Sequence, residues 1–319
     1  MAVSTDVTFN YNRNQIIKAA ARKVGAFQAG ETPDAQTVQD FSDALNIMVK
    51  HWNAIGIHVW TETEATLFLQ PGQYSYEVGP NSTDHATEEY SSTTLASDYT
   101  AGGLTITVDD DTGIANGDYI GVVLDDGTIG WSTVNGTPVA NVVTISAALS
   151  DGATTASNVY FYTTNISKPL RIPFGRRYFI SSAIATPMTP LSRHDYYDLP
   201  NKANTGTITQ YFYDPKRANG IIKLWPAPTD AESTFNFTWY KSIANFDSAA
   251  TDPDFPQEWT NALIFNLAYY MAPEYGVPAD QYAIIKDMAM TTLDDMKGWD
   301  REPESTYLGV DFTMMGYGR

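Results

Sequence analysis

Apolar positions near the start of the chain recur at helical spacing. Ile16, Ile17, Ala20, Val24 and Phe27 follow Asn12 and Asn14, which can cap, and Gly25 weakens the last turn. A second stripe is longer: after Thr32 and Pro33, a cap and first-turn pair, come Val38, Phe41, Leu45, Met48, Val49, Trp52 and Ile55, with Gly56 as a left-handed stop. From Val59 the period shortens. Residues 67–70 and 74–78 predict strands around Pro71-Gly72, whereas residues 81–100 are polar and predict an exposed connection. Short apolar runs at 104–108, 119–124, 129–134, 142–146 and 159–163 alternate with Asn116-Gly117, Asp126-Gly127, Asn135-Gly136 and Asp151-Gly152, which is turn chemistry. Residues 207–213, 221–225 and 235–240 predict a meander. Helical spacing then returns after Pro256, with Trp259, Leu263, Ile264, Leu267 and Met271, and after Pro278, with Tyr282, Ile285, Met288, Ala289, Leu293 and Met296.

This order predicts an α+β fold: a helical body formed by N- and C-terminal helices, an antiparallel β middle, and an inserted small β-barrel or sandwich module. None of the helices can bury its stripe alone, so the two ends are expected to pack together. The expected divisions are 1–78 (helices and first strands), 79–165 (inserted β module), 166–299 (meander and closing helices) and 300–319, an extended C-terminal arm.

Charge sharpens the third element. The chain of 319 residues carries 37 acidic and 19 basic side chains, a net charge of -18. Between His51 and Ser167 lie 14 acidic residues and no Lys or Arg, so the remaining 202 residues hold 23 acidic against 19 basic. The acidity belongs to one internal segment, the usual mark of an inserted domain. Such a balance argues against a groove that neutralises phosphates. Absence of Cys excludes a disulfide framework, a thiolate nucleophile and Cys-based metal sites. The first residues lack the pattern of a signal peptide and no apolar run has the length of a membrane span, so the expectation is a soluble, unsecreted protein with no membrane contact.

Candidate chemistry is sparse. The four His, His51, His58, His85 and His194, show no metal-ligand spacing. Asp109, Asp110, Asp111, Asp125 and Asp126 precede glycines and could suggest calcium, but an EF-hand loop needs alternating acids and a closing Glu; solvated turns are the plainer expectation. No nucleophile elbow, P-loop or dinucleotide fingerprint occurs, and no carboxylate pair stands out as a hydrolase's would. Arg171, Arg176, Arg177 and Arg193, set among aromatics, are read as salt-bridging or inter-subunit contacts in preference to a nucleic-acid platform. No catalytic residue, metal or cofactor is expected.

Four stretches together carry a resemblance. AARKVG with QDFSDALNIMVKHWNAIGIHVW, then GDYIGVVLDDGTIGWSTVNG, then TPLSRHDYYDLPNK with YFYDPKRANGIIKLWPAP, and finally FPQEWTNALIFNLAYYMAPEYGVP resemble, in this order, the head-to-tail adaptor (connector, packaged-DNA stabilisation) proteins of short-tailed bacteriophages. The resemblance implies a non-enzymatic virion protein assembled in the host cytoplasm. It would form a ring, commonly of twelve copies, under the portal protein at the head–tail junction, close the DNA-filled head and offer a platform to the tail nozzle or tube. Genomic DNA would pass its channel without sequence-specific binding. By position, residues 300–319 match the arm that reaches the portal, with Tyr307, Phe312, Met314, Met315, Tyr317 and Arg319 as contacts. The acidic module is absent from the shortest members, and an outer position is expected for it. The competing expectation is a β-rich tail protein that contacts a host surface or carbohydrate.

Overall fold

The computed structural model describes residues 11–28, 30–56, 61–248 and 254–299. It divides the chain into two compact units: residues 1–60 together with 243–319, and Thr61–Ser242.

The first unit is helical. Helix α1 (Arg13–Lys23) opens on a capping box in which Asn12 Oδ1 accepts from Gln15 N at 3.0 Å and Gln15 Oε1 accepts from Asn12 N at 2.9 Å. Helix α2 (Ala35–Ala54) starts later than Thr32-Pro33 implied, because Asp34 supplies the cap, accepting from Thr37 N at 2.6 Å. These backbone and side-chain bonds to Thr37 hold the Asp34 carboxyl below its usual range. Their buried faces share one core with Trp259, Leu263, Leu267 and Met271, which belong to a one-turn 3-10 helix (Gln257–Trp259) and α4 (Thr260–Met271), and with Ile285 of α5 (Ala279–Trp299). Helix α3 (Arg193–Asp198) lies in the other unit. Asn266 is buried between α4 and α5 and donates through Nδ2 to Ala262 O (2.9 Å) and Ala289 O (3.0 Å). Arg13 Nη1 bonds Phe246 O at 3.2 Å, which fastens α1 to a segment more than two hundred residues later.

The second unit is built from β-strands. Strands β1 (Glu62–Phe68), β3 (Ala86–Thr87), β10 (Phe174–Phe179), β11 (Ile184–Pro187) and β15 (Ser233–Tyr240) form a five-stranded sheet in the order β11-β10-β15-β1-β3. Against it lies a four-stranded sheet, β12-β13-β14-β2, from Thr189–Pro190, Gln210–Asp214, Gly220–Trp225 and Ser75–Val78. Every second residue of β15, Phe235, Phe237 and Trp239, turns inward to meet Leu67, Tyr76, Tyr211, Ile222 and Leu224. Rings of this size each contribute about 1.5–3 kcal/mol on burial. Gly175 is required here: a Cβ would stand 2.4 Å from the Phe235 ring.

A third sheet, β4-β9-β6-β7, comes from Ser91–Thr94, Asn158–Tyr162, Tyr119–Val123 and Ile129–Thr133, and a ribbon pairs β5 (Thr105–Thr107) with β8 (Val142–Thr144). Single bridges, Leu95↔Val108 and Val134↔Ile145, join the ribbon to both edges of the sheet and close a small barrel. Its interior holds Ile106, Ile120, Val122, Val143, Ile145, Val159 and Phe161. The alternate residues of β6, β7 and β9 point outward, yet Tyr160 and Tyr162 among them are also buried, against Phe68 of β1.

Among the described residues the chain is mainly antiparallel β, fifteen strands in four sheets with five α-helices, 26 % helical. This overturns the expected α+β fold with a helical body formed by N- and C-terminal helices, an antiparallel β middle and an inserted small β-barrel or sandwich module. The Thr61–Ser242 unit holds three of the four apolar cores, so the bulk of the structure is β. Residues 81–100 are not a plain exposed connection: they contribute β3 and β4 and bury Ala86, Leu95 and Tyr99.

Candidate functional site

Phe68 is the centre of an aromatic joint between the barrel and the five-stranded sheet. Its ring lies 5.1 Å from each of Tyr90, Trp131 and Tyr160. Gly121, paired with Trp131 across β6 and β7, makes room for that indole, since a Cβ would come within 2.7 Å of it. His85 stacks on Trp131 with centroids 3.8 Å apart and planes 12° from parallel. The Tyr162 hydroxyl donates to Asn165 Oδ1 (2.7 Å), so it accepts from His85 Nδ1 (2.6 Å), which selects the Nδ1–H tautomer. Burial lowers the His85 pKa to about 4 and pushes the Tyr162 phenol up, and both groups are neutral at pH 7.

Beside this joint runs a polar cleft. One part, about 420 Å³, is lined by Thr87, Glu88, Glu89, Asn165, Ser167 and Lys241 among others, and an adjoining part, about 470 Å³, shares Glu88, Glu89 and Thr163 with it. Lys241 Nζ stands 3.4 Å from Glu88 Oε1. Ser167 Oγ is buried there with no hydrogen-bond partner among the described residues. Hydroxyls, an amide and carboxylates can hold a ligand by hydrogen bonds. Among the described residues no group of three His, Asp or Glu converges on a metal position, and no helix is long and apolar enough to cross a membrane.

The acidic turns have a structural use. Asp125 Oδ1 accepts from Thr154 N (3.0 Å) and Oγ1 (2.9 Å), Asp126 Oδ1 from Thr128 N (2.8 Å) and Oγ1 (2.6 Å), and Asp98 Oδ1 from Thr155 N (2.8 Å) and Oγ1 (2.7 Å). Asp110 Oδ1 accepts from Thr112 N (2.9 Å) and Asp111 Oδ2 from Asn141 N (3.1 Å). Hydrogen bonds from threonines lower the Asp98, Asp110 and Asp126 pKa values. Each carboxylate thus satisfies loop N–H groups that the barrel's short strands leave over.

The four arginines do not gather. Arg176 pairs with Glu64 across the face of the five-stranded sheet, and Arg193 pairs with Asp214 while lying 5.5 Å from the Phe212 ring. Arg171 is exposed; Arg177 is half-buried, its Nε without a hydrogen-bond partner among the described residues. Helix α3 (Arg193–Asp198) packs Tyr196 on Phe212, and Lys223 Nζ donates to the Tyr197 hydroxyl at 3.0 Å, so the aromatics and cations of this region pin one another. His51 is exposed, and His194 meets Asp198 at 3.0 Å on the surface. His58 and Tyr307, Phe312, Met314, Met315, Tyr317 and Arg319 lie outside the described residues. Sequence reasoning missed the joint, although YFY at 160–162 was its visible signal: three successive rings on one strand require apolar surroundings on both faces.

No family model matches the chain, and no curated protein matches it. Among solved structures there is a similarity to the Gp54 tailspike of Acinetobacter baumannii bacteriophage AP22 in complex with A. baumannii capsular saccharide: 19 % identity over 23 % of this chain and 15 % of that chain, with a TM-score of 0.20. An overlap of that size does not establish a shared fold.

Proposed function

We propose that this chain is a structural protein of a bacteriophage virion that works by contact, as an adaptor between head and tail. The observation that carries this reading is the two-unit layout. Helices from both ends of the chain share one core, and the intervening 61–242 segment is a separate β unit, so one chain carries two independently built bodies with which to meet two neighbours. The ordered sequence resemblance supports the same role, with the portal protein, a tail nozzle or tube protein and further copies of the chain as partners. The test is electron microscopy and native mass of the purified chain with and without portal protein. A ring of defined copy number on the portal is expected, and a chain that stays monomeric and ignores the portal would refute the role.

The predominance of β structure favours a second reading, a β-rich tail protein that contacts a host surface or carbohydrate. It uses the β unit alone and leaves the helical unit without a task, so it ranks second. Glycan-array binding by the full chain, without any ring, would reverse that order.

A further inference from the structure

Helix α1 is a cationic element in an acidic chain. Its sequence, RNQIIKAAARK, contains four basic residues and no acidic one, whereas the whole chain has a net charge of -18. Two of the four cations are committed locally. Arg13 bonds Ser42 Oγ (3.4 Å), Phe246 O (3.2 Å) and Asp247 O (3.4 Å), and Lys23 Nζ lies 3.8 Å above the Phe265 ring. Lys18 and Arg22 are different. They stand one turn apart on the same face and enter no ion pair or hydrogen bond among the described residues, although carboxylates are abundant. Like charges at this spacing cost a few tenths of a kcal/mol, and the Lys23 pKa is lowered by burial and then by Arg22. Favourable interaction with the helix dipole accounts for Arg22 in the last turn but not for Lys18.

The two cations line a pocket of about 300 Å³ whose other walls include Tyr11, Gln15, Phe27 and Glu31. Gln15 spends its carbonyl oxygen on the α1 cap, so its amide NH2 is left to donate. Two cations, an amide donor and aromatic walls suit an anion carried on a short apolar stem. We propose that this pocket is a binding site for the carboxylate side chains of an acidic protein segment. A nucleic acid is the less favoured occupant, because two cations beside the Glu31 carboxylate can pair with a separate carboxylate but not with the run of phosphates that a backbone presents. The site lies in the helical unit and needs no particular place in a virion.

The test uses the full chain, a fluorescein-labelled oligoglutamate peptide and a DNA duplex of equal charge, followed by fluorescence anisotropy at several salt concentrations. The expected result is salt-sensitive binding of the peptide, stronger than that of the duplex. It should weaken by about tenfold or more in K18Q/R22Q, as losing two charge-assisted contacts implies. The K286Q/K297Q variant makes the same change in net charge on exposed positions of α5 and should bind within about twofold of the parent. Circular dichroism should show both variants folded. Three results would each overturn the proposal: no peptide binding by the parent, equal weakening in both variants, or tighter binding of the duplex that is lost in K18Q/R22Q.

Discussion

His85 keeps its single ring proton on Nδ1 only because Tyr162 accepts it and Asn165 takes the Tyr162 proton in turn. A second proton would put a charge on a ring that is stacked on Trp131 and largely withdrawn from water, which burial disfavours. The unfolded chain binds that proton near pH 6.5 and the folded chain only near 4, so the contribution of neutral His85 is complete above pH 6.5 and is lost as pH falls through this window. Denaturant unfolding at pH 7 and pH 4 is expected to show up to about 3 kcal/mol less stability at the lower pH from this residue, and His85→Phe should remove that share of the slope. Gly121 acts at the same place by leaving space. Gly121→Ala would force the Trp131 ring out of its stack on His85, at a cost of about 1–3 kcal/mol, visible as a red-shifted tryptophan emission and a lower unfolding midpoint.

The helices α4 and α5 are held together by one buried amide as well as by apolar packing. Asn266→Leu would remove both of its hydrogen bonds, leaving Ala289 O with its bonds inside α5, among them the one from the Thr292 hydroxyl at 3.2 Å, and nothing polar to join the two helices at this point. A loss of about 1–2 kcal/mol is expected, read from the far-ultraviolet thermal transition. Elements of this kind were legible in the sequence: α2 and α4 have apolar stripes several turns long, and repetition fixes their period. The strands were less so, for a physical reason. In NVYFY, Val159 and Phe161 enter the barrel while Tyr160 and Tyr162 enter the joint, so burial on both faces erases alternation and nothing on the strand tells which side is which. Pieces as short as Ala86–Thr87 and Ser91–Thr94 have no period at all, and polar side chains in β4 hid a real sheet edge. For the candidate sites, Lys18 and Arg22 were visible as charges, but their lack of partners is a property of the fold. The edge strand β11 shows a sequence device at work: its uncharged, exposed residues end in Pro187, which has no N–H to offer an incoming strand.

At the scale of the molecule, the chain enters the β unit along β1 and leaves it along β15, and these two strands are neighbours in antiparallel register from Glu62↔Tyr240 to Phe68↔Thr234. Lys241 N also bonds Thr61 O at 3.0 Å, so the boundaries of the unit lie side by side. Residues 61–242 expressed alone should therefore fold, with β-type circular dichroism and a cooperative melt; a molten product would show that the helical unit is needed to hold the ends. The same pairing has a consequence for synthesis. On a ribosome adding about 5–20 residues per second, α1 and α2 emerge first but must wait for α4, made some two hundred residues later, before their apolar faces can be covered. During that interval they are open to chaperones or to neighbouring nascent chains. Completion of β15 against β1 prepares the end of the wait: it sets the point where the chain leaves the β unit beside the point where it entered, so α4, made next, is spared most of the loop-closure entropy of the intervening residues.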